Sequence, residues 1–245
     1  MKKKICLTET EFNILASGMR IEKLYAFAQD GDVGLSEQQI NKCLFKLVKK
    51  GFLQIEQEQY VLTQELYDIF MQLKDAEYVL TIYTCDGKLP MRCIYMTEKD
   101  FPKVVSLELG NVVGSIYKLS RDCIDTVLDE ALDGLFELSL LQEPNSLTKD
   151  EAEETIENDY FMQKMVAYSN EPETKLDDLC RSEGIVCIMT ERKVEDEQIV
   201  KRLYLRSCTL YDEMFLQAGQ EVKIYRFSKD NVSKMFFRKE KENVL

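Results

Sequence analysis

The amino-acid sequence predicts an α+β protein: a mostly antiparallel sheet flanked by helices, with a winged-helix-like segment at the N-terminal end. Three observations lead there. Ser36 to Leu62 reads as helix, glycine and short hairpin. Tyr78 to Met96 reads as a longer hairpin turning at Asp86-Gly87, a pair favoured in two-residue β-turns. Strand-like and helix-like apolar spacings then keep alternating to the end of the chain, with short polar turns between them. Strands joined by short turns favour antiparallel pairing.

Thr8 and Glu11 have the spacing of a capping box, in which each side chain satisfies the other's backbone N–H. They open a helix that turns Phe12, Ile14 and Leu15 inward. Residues 20–29 continue helical through Ile21, Leu24, Tyr25 and Ala28, and Asp30 to Gly34 forms a loop. Ser36 with Gln39 makes a second capping box. Ile40, Cys43, Leu44, Leu47 and Val48 then recur every three or four residues, as on one buried helical stripe. Gly51 ends that helix, since glycine reaches the left-handed conformation without a steric cost. Phe52-Leu53 and Tyr60-Val61-Leu62 flank a polar turn as a small wing. Thr63 caps a helix bearing Leu66, Ile69, Phe70 and Leu73.

Tyr78 to Cys85 is β-branched and aromatic, as a strand requires, and Met91 to Met96 is its return strand. Another strand covers Val104 to Leu109. Ser120 is expected to cap a helix carrying Ile124, Val127, Leu128 and Leu132. The polar stretch Gln142 to Ser146 holds a proline and marks a boundary. Thr148 with Glu151 opens an acidic helix, followed by a helix at Lys175 to Glu183. Strands at Ile185 to Thr190, Ile199 to Cys208 and Val222 to Phe227 complete the sheet, and Lys229 to Lys239 closes the chain as a helix. The chain thus divides into a winged-helix-like helical segment (1–75), the hairpin, strand and helix that complete a first half (76–141), and a second α+β half (142–245). The two halves follow the same order of elements, which suggests a pseudo-twofold arrangement.

Charge and composition exclude several functions. The net charge of −12 over 245 residues repels a polyanion unless the basic groups gather on one face. No apolar run approaches the roughly 20 residues that span a bilayer. The lysines after Met1 are followed at once by Thr8, Glu9 and Glu11, so no secretory leader is expected and the protein is expected in the cytoplasm. Histidine is absent, which removes the commonest general base and the usual nitrogen ligand of zinc. The eight cysteines form no CxxC pair and read as small buried hydrophobes in a reducing compartment. No nucleophile elbow, phosphate-cradling glycine loop or dinucleotide fingerprint is present. Cys85 and Cys93 flank the long hairpin without a histidine to activate them. No catalytic residue, cofactor or metal site is expected, and the protein reads as a non-enzyme.

Lys42, Lys46 and Lys49 share one face of the helix that a winged-helix protein lays on DNA. A winged-helix transcription regulator is therefore the alternative function. Against it, the wing carries Glu56 and Glu58, and the helix lacks arginine, the residue best suited to guanine contacts.

The pattern Leu7-Thr8-x-x-Glu11, the helix end Leu47-x-x-x-Gly51-Phe52, a short wing, and the helix opening Leu62-Thr63-x-Glu65-Leu66 run on into a long hairpin. This order resembles the EspG-type chaperones of type VII secretion and their relatives in low-GC Gram-positive bacteria. The resemblance covers the first 140 residues best. It implies a cytosolic, non-catalytic chaperone or adaptor that shields a helical secreted client. The ten methionines and the acidic body suit that role, methionine being an adaptable apolar contact. Contacts with the client are expected at the two hairpin tips, at Lys88, Leu89 and Pro90 in the first and at Val194 in the second. Binding residues gather on loops that a scaffold holds in place.

Overall fold

The computed structural model describes residues 4–21, 24, 35–85, 91–97, 103–109, 116–132, 163–167, 171, 176–207, 212–219, 221–226, 232 and 235–236. The chain forms two compact units. The first comprises residues 1–80, 90–123 and 193–197, and the second residues 81–89, 124–192 and 198–245.

In the first unit, strand β1 (Ile5–Thr8) leads into helix α1 (Glu9–Gly18). The capping box predicted there is present: Glu11 N–H donates to Thr8 Oγ1 at 3.3 Å, and Thr8 N–H donates to Glu11 Oε2 at 2.8 Å. Helix α2 (Glu37–Lys49) opens with the same device, Gln39 N–H donating to Ser36 Oγ and Ser36 N–H to Gln39 Oε1. It ends at Gly51, whose φ is +74°. The wing is the two-stranded hairpin β2 (Leu53–Glu56) and β3 (Gln59–Leu62), and helix α3 (Gln64–Lys74) follows it. Thr63 stands at the N-cap of α3 but makes no side-chain capping bond.

Strands β4 (Tyr78–Thr84), β5 (Arg92–Met96), β6 (Lys103–Glu108) and β7 (Ile116–Cys123) build the sheet of this unit with β1, in the order β1-β7-β6-β5-β4. The β1–β7, β7–β6 and β6–β5 pairs are antiparallel. The core lies between sheet and helices. Phe12 and Leu15 of α1, Leu47 of α2, and Leu66, Ile69, Phe70 and Leu73 of α3 pack with Leu7, Val79, Tyr95, Val105, Leu107 and Leu119 of the strands. Phe12 stands 5.4 Å from the Phe70 ring and edge-on to Tyr117 at 5.6 Å, within the range where aromatic pairs attract beyond their burial.

The second unit holds the closing half of β4 and strands β8 (Ile185–Lys193), β9 (Ile199–Ser207), β10 (Asp212–Ala218) and β11 (Glu221–Arg226), hydrogen-bonded in that order. Cys85 N–H donates to Val186 O at 3.1 Å and Thr81 Oγ1 to Thr190 O at 3.2 Å. One index rises as the other falls, so β4 and β8 run antiparallel. Helix α4 (Ile124–Leu132) also belongs to this unit, and helix α5 (Asp177–Glu183) stops at Gly184, where φ is +66°. Met165, Leu179, Ile188, Tyr204 and Phe215 form its core. Arg202 is wholly buried. Its Nε–H donates to Thr190 Oγ1 at 3.1 Å and its terminal amino group to Glu171 O at 2.7 Å, which satisfies a charge that burial would otherwise penalise.

The predicted fold class, a mostly antiparallel sheet with flanking helices, is the one observed. Three strands escape the sequence pattern: β1, β7 and β10. Ser120 is not a cap; it lies inside β7 opposite Ser106, and α4 begins at Ile124. Tyr117 and Leu119 alternate inward with period two, and pairing with both β1 and β6 holds the chain extended. The helix predicted at 20–29 is not found where it is described: Arg20 turns the chain with a φ of +55°, and neither Ile21 nor Leu24 is helical. The boundary at 142–146 and the capping box at Thr148 lie outside the described residues.

Candidate partner-binding surface

Helix α2 is strongly two-sided. Cys43 and Leu47 are buried, with Leu44 and Val48 packed against the same core. The opposite side shows Lys42, Lys46 and Lys49 to solvent. Phe45 stands among them, 53% exposed, with Lys49 Nζ 4.8 Å from its ring centroid. That cation–π contact covers part of an aromatic face the core does not use.

The wing follows α2 directly in the chain and packs against it at β2. Its register pairs Leu53 with Leu62, Gln54 with Val61, Ile55 with Tyr60, and Glu56 with Gln59. Side chains alternate along a strand, so Leu53, Leu62, Ile55 and Tyr60 share one face. At the base, Leu53 is buried and Leu62 packs on the core. One step further out, the core has ended: Ile55 is 59% and Tyr60 44% exposed. Val61 on the other face and Tyr67 on α3 are exposed as well.

The tip is strained. Gln57 and Glu58 both have positive φ, +48° and +64°. A two-residue hairpin turn needs that conformation, and asparagine and glycine adopt it far more readily.

Beside this surface, α1 and α2 are tied by a charge pair. Lys50 Nζ donates to both Glu11 oxygens at 2.7 Å, and the Glu11 carboxylate is almost wholly buried. Burial pushes the Glu11 pKa up, but the bonds from Lys50 and Thr8 outweigh it and hold the carboxyl below its ordinary value.

Exposed apolar side chains beside lysines and glutamates form an anchor-and-rim pattern suited to protein contacts. The glutamates of the wing, Glu56 and Glu58, are exposed and would repel a phosphate backbone. Among the described residues, no cluster of cysteine and carboxylate side chains is arranged to hold a metal ion.

Of the predicted contact residues, Lys88, Leu89 and Pro90 lie outside the described residues. Val194 is half-buried against the core of the first unit, and its N–H donates to Glu77 O at 2.9 Å. Phe45, Ile55, Tyr60, Val61 and Tyr67 are not among the expected contact residues, although Tyr60 and Val61 belong to the predicted wing. Ile55 shares a strand face with the buried Leu53, and the structure shows that this face outruns the core.

Comparison with solved structures bears on the fold. The chain is similar to the type VII secretion chaperone EspG5 of Mycobacterium tuberculosis, whose structure was solved in complex with a PE25-PPE41 dimer. The likeness has a TM-score of 0.51 at 10% identity and covers 94% of this chain and 93% of that one. The fold is EspG-like. No family model and no curated protein matches the chain. Among the described residues, no helix is long and apolar enough to cross a membrane.

Proposed function

We propose that this protein is a cytosolic, non-catalytic chaperone or adaptor that holds a helical client of type VII secretion before export. The observation that carries this reading is the EspG-like fold over almost the whole chain; EspG5, a chaperone with that fold, was solved in complex with a PE25-PPE41 dimer. The exposed apolar residues of α2, the wing and α3 supply the contact. Ile55 and Tyr60, side by side at the end of the hairpin, serve as anchors. Lys42, Lys46 and Lys49 beside Phe45 suit a client helix with an apolar face and acidic margins. An acidic body of net charge −12 keeps the complex soluble by self-repulsion.

Co-expression with small helical secreted proteins of the same genome tests the reading. The expected result is one client retained in stoichiometric complex through gel filtration.

The exposed lysine row also favours the second reading, a winged-helix DNA binder. Titration with promoter and random DNA separates the two. A chaperone binds no tighter than the non-specific range of roughly 10⁻⁴ to 10⁻⁶ M at physiological salt. Nanomolar, sequence-dependent binding that is lost on changing Lys42, Lys46 and Lys49 to glutamate would replace the chaperone reading with the regulator.

A further inference from the structure

Cys85 follows the last residue of β4, and Cys180 lies in α5, 95 residues away in sequence. Both belong to the second unit. Their sulfurs meet at 2.7 Å, the Cys85 thiol directed at Cys180 Sγ. Neither cysteine is carried on a loose loop. Cys85 N–H donates to Val186 O of β8 at 3.1 Å, and Cys180 N–H donates to Leu176 O at 2.8 Å. Sheet and helix thus fix both backbones with the side chains facing each other. Access differs between the two. Cys85 is half-buried, whereas Cys180 is only 2% exposed, packed in the core with Met165, Leu179 and Phe215.

We propose that Cys85 and Cys180 are a modification site, a thiol pair that closes to a reversible disulfide when offered a low-molecular-weight disulfide such as glutathione disulfide. The reachable Cys85 thiolate attacks one oxidant sulfur. The oxidant's S–S bond breaks, and one glutathione leaves as thiolate, which takes up the proton lost by Cys85. Cys180, already in contact, then attacks the Cys85 sulfur and displaces the second glutathione, which takes the Cys180 proton. The protein pair is oxidised by two electrons, and glutathione disulfide is reduced to two glutathione thiols. This order follows the general route of exchange through a mixed disulfide, with an accessible thiol poised beside a resolving one. Cys6, exposed on β1, has no such neighbour described and can form only an adduct by this route.

The test uses the full chain carrying Cys6→Ser, equilibrated with mixtures of reduced and oxidised glutathione and quenched with iodoacetamide. The expected product carries no carbamidomethyl group on Cys85 or Cys180, yields one cross-linked peptide joining Cys85 to Cys180 that is two hydrogens lighter than the two reduced peptides together, and reverts with dithiothreitol. Cys85→Ser and Cys180→Ala each abolish it. Because the link closes a long loop, the thermal midpoint of the oxidised protein rises by roughly 10 °C. A stable glutathione adduct on Cys85 with no link, a link between other cysteines, or an unreacted Cys85 would each overturn the proposal. The peptide map of the protein with both cysteines present decides the matter even if Cys180→Ala folds poorly.

Discussion

The Glu11–Lys50 pair makes an asymmetric prediction. Glu11 is 3% exposed and accepts from Lys50 Nζ at 2.7 Å and from Thr8 N–H at 2.8 Å, while the Lys50 side chain is 40% exposed. Lys50→Met leaves a buried carboxylate without its cation. Removing one partner of a fully buried pair costs about 3–5 kcal/mol. Here the lysine side opens to water, so the loss falls to about 2–3 kcal/mol. Glu11→Gln keeps an oxygen for Thr8 N–H and frees an ammonium that water solvates. Its loss is that of a charged rather than neutral hydrogen bond, about 1 kcal/mol. The double variant buries no charge and falls near the single Glu11→Gln, giving a coupling of about 2–3 kcal/mol in urea unfolding. The pH dependence follows the same pair. The folded pKa of Glu11 is depressed. Its contribution is complete above the ordinary glutamate value of about 4.3 and is lost as pH falls through the folded value. Glu11→Gln removes that part of the acid sensitivity. Equal losses for the two single variants, adding without coupling, would refute the assignment of a buried carboxylate held by Lys50.

Two further outcomes follow. Gln57→Asn with Glu58→Gly relieves two positive-φ residues at the wing tip and stabilises the protein by roughly 1–2 kcal/mol in denaturant melts, with an unchanged circular dichroism spectrum. Glu191 behaves oppositely to Glu11. Burial raises its carboxyl above the usual range even though Lys201 lies 3.0 Å away. Its ionisation therefore lowers stability as pH rises from the ordinary value through the raised folded one, and Glu191→Gln flattens the melting-temperature profile in that window.

The elements legible in the sequence were those whose signal is local. The capping boxes at Thr8/Glu11 and Ser36/Gln39, the stripe through Cys43 and Leu47, and the stop at Gly51 all stand in the structure as read. The missed strands owe their conformation to partners far away in sequence. β1 has four residues and pairs with β7, more than a hundred positions on. β10 runs Met214-Phe215-Leu216 without clean alternation, and its Gln217 is buried because it accepts from the Tyr204 hydroxyl at 3.1 Å. Ser120 looked like a cap because serine before an apolar helix usually is one; the flanking strands β1 and β6 outweigh that preference. At the surface, the wing was legible but its exposure was not. Ile55 repeats the spacing of Leu53, and nothing in the sequence says that the core stops between them.

The central claim, that the wing holds a helical client, is tested most directly by calorimetric titration of that client into wild-type protein and an Ile55→Asp/Tyr60→Asp variant. Full burial of such side chains contributes about 1.5–3 kcal/mol each. Scaled by the 59% and 44% still exposed, the pair supplies roughly 2 kcal/mol of binding, or about 30-fold in Kd. The account predicts that loss of affinity with a thermal midpoint unchanged to within about 3 °C, since surface substitutions away from the core move stability little. A variant that binds its client as tightly as the wild type would contradict it.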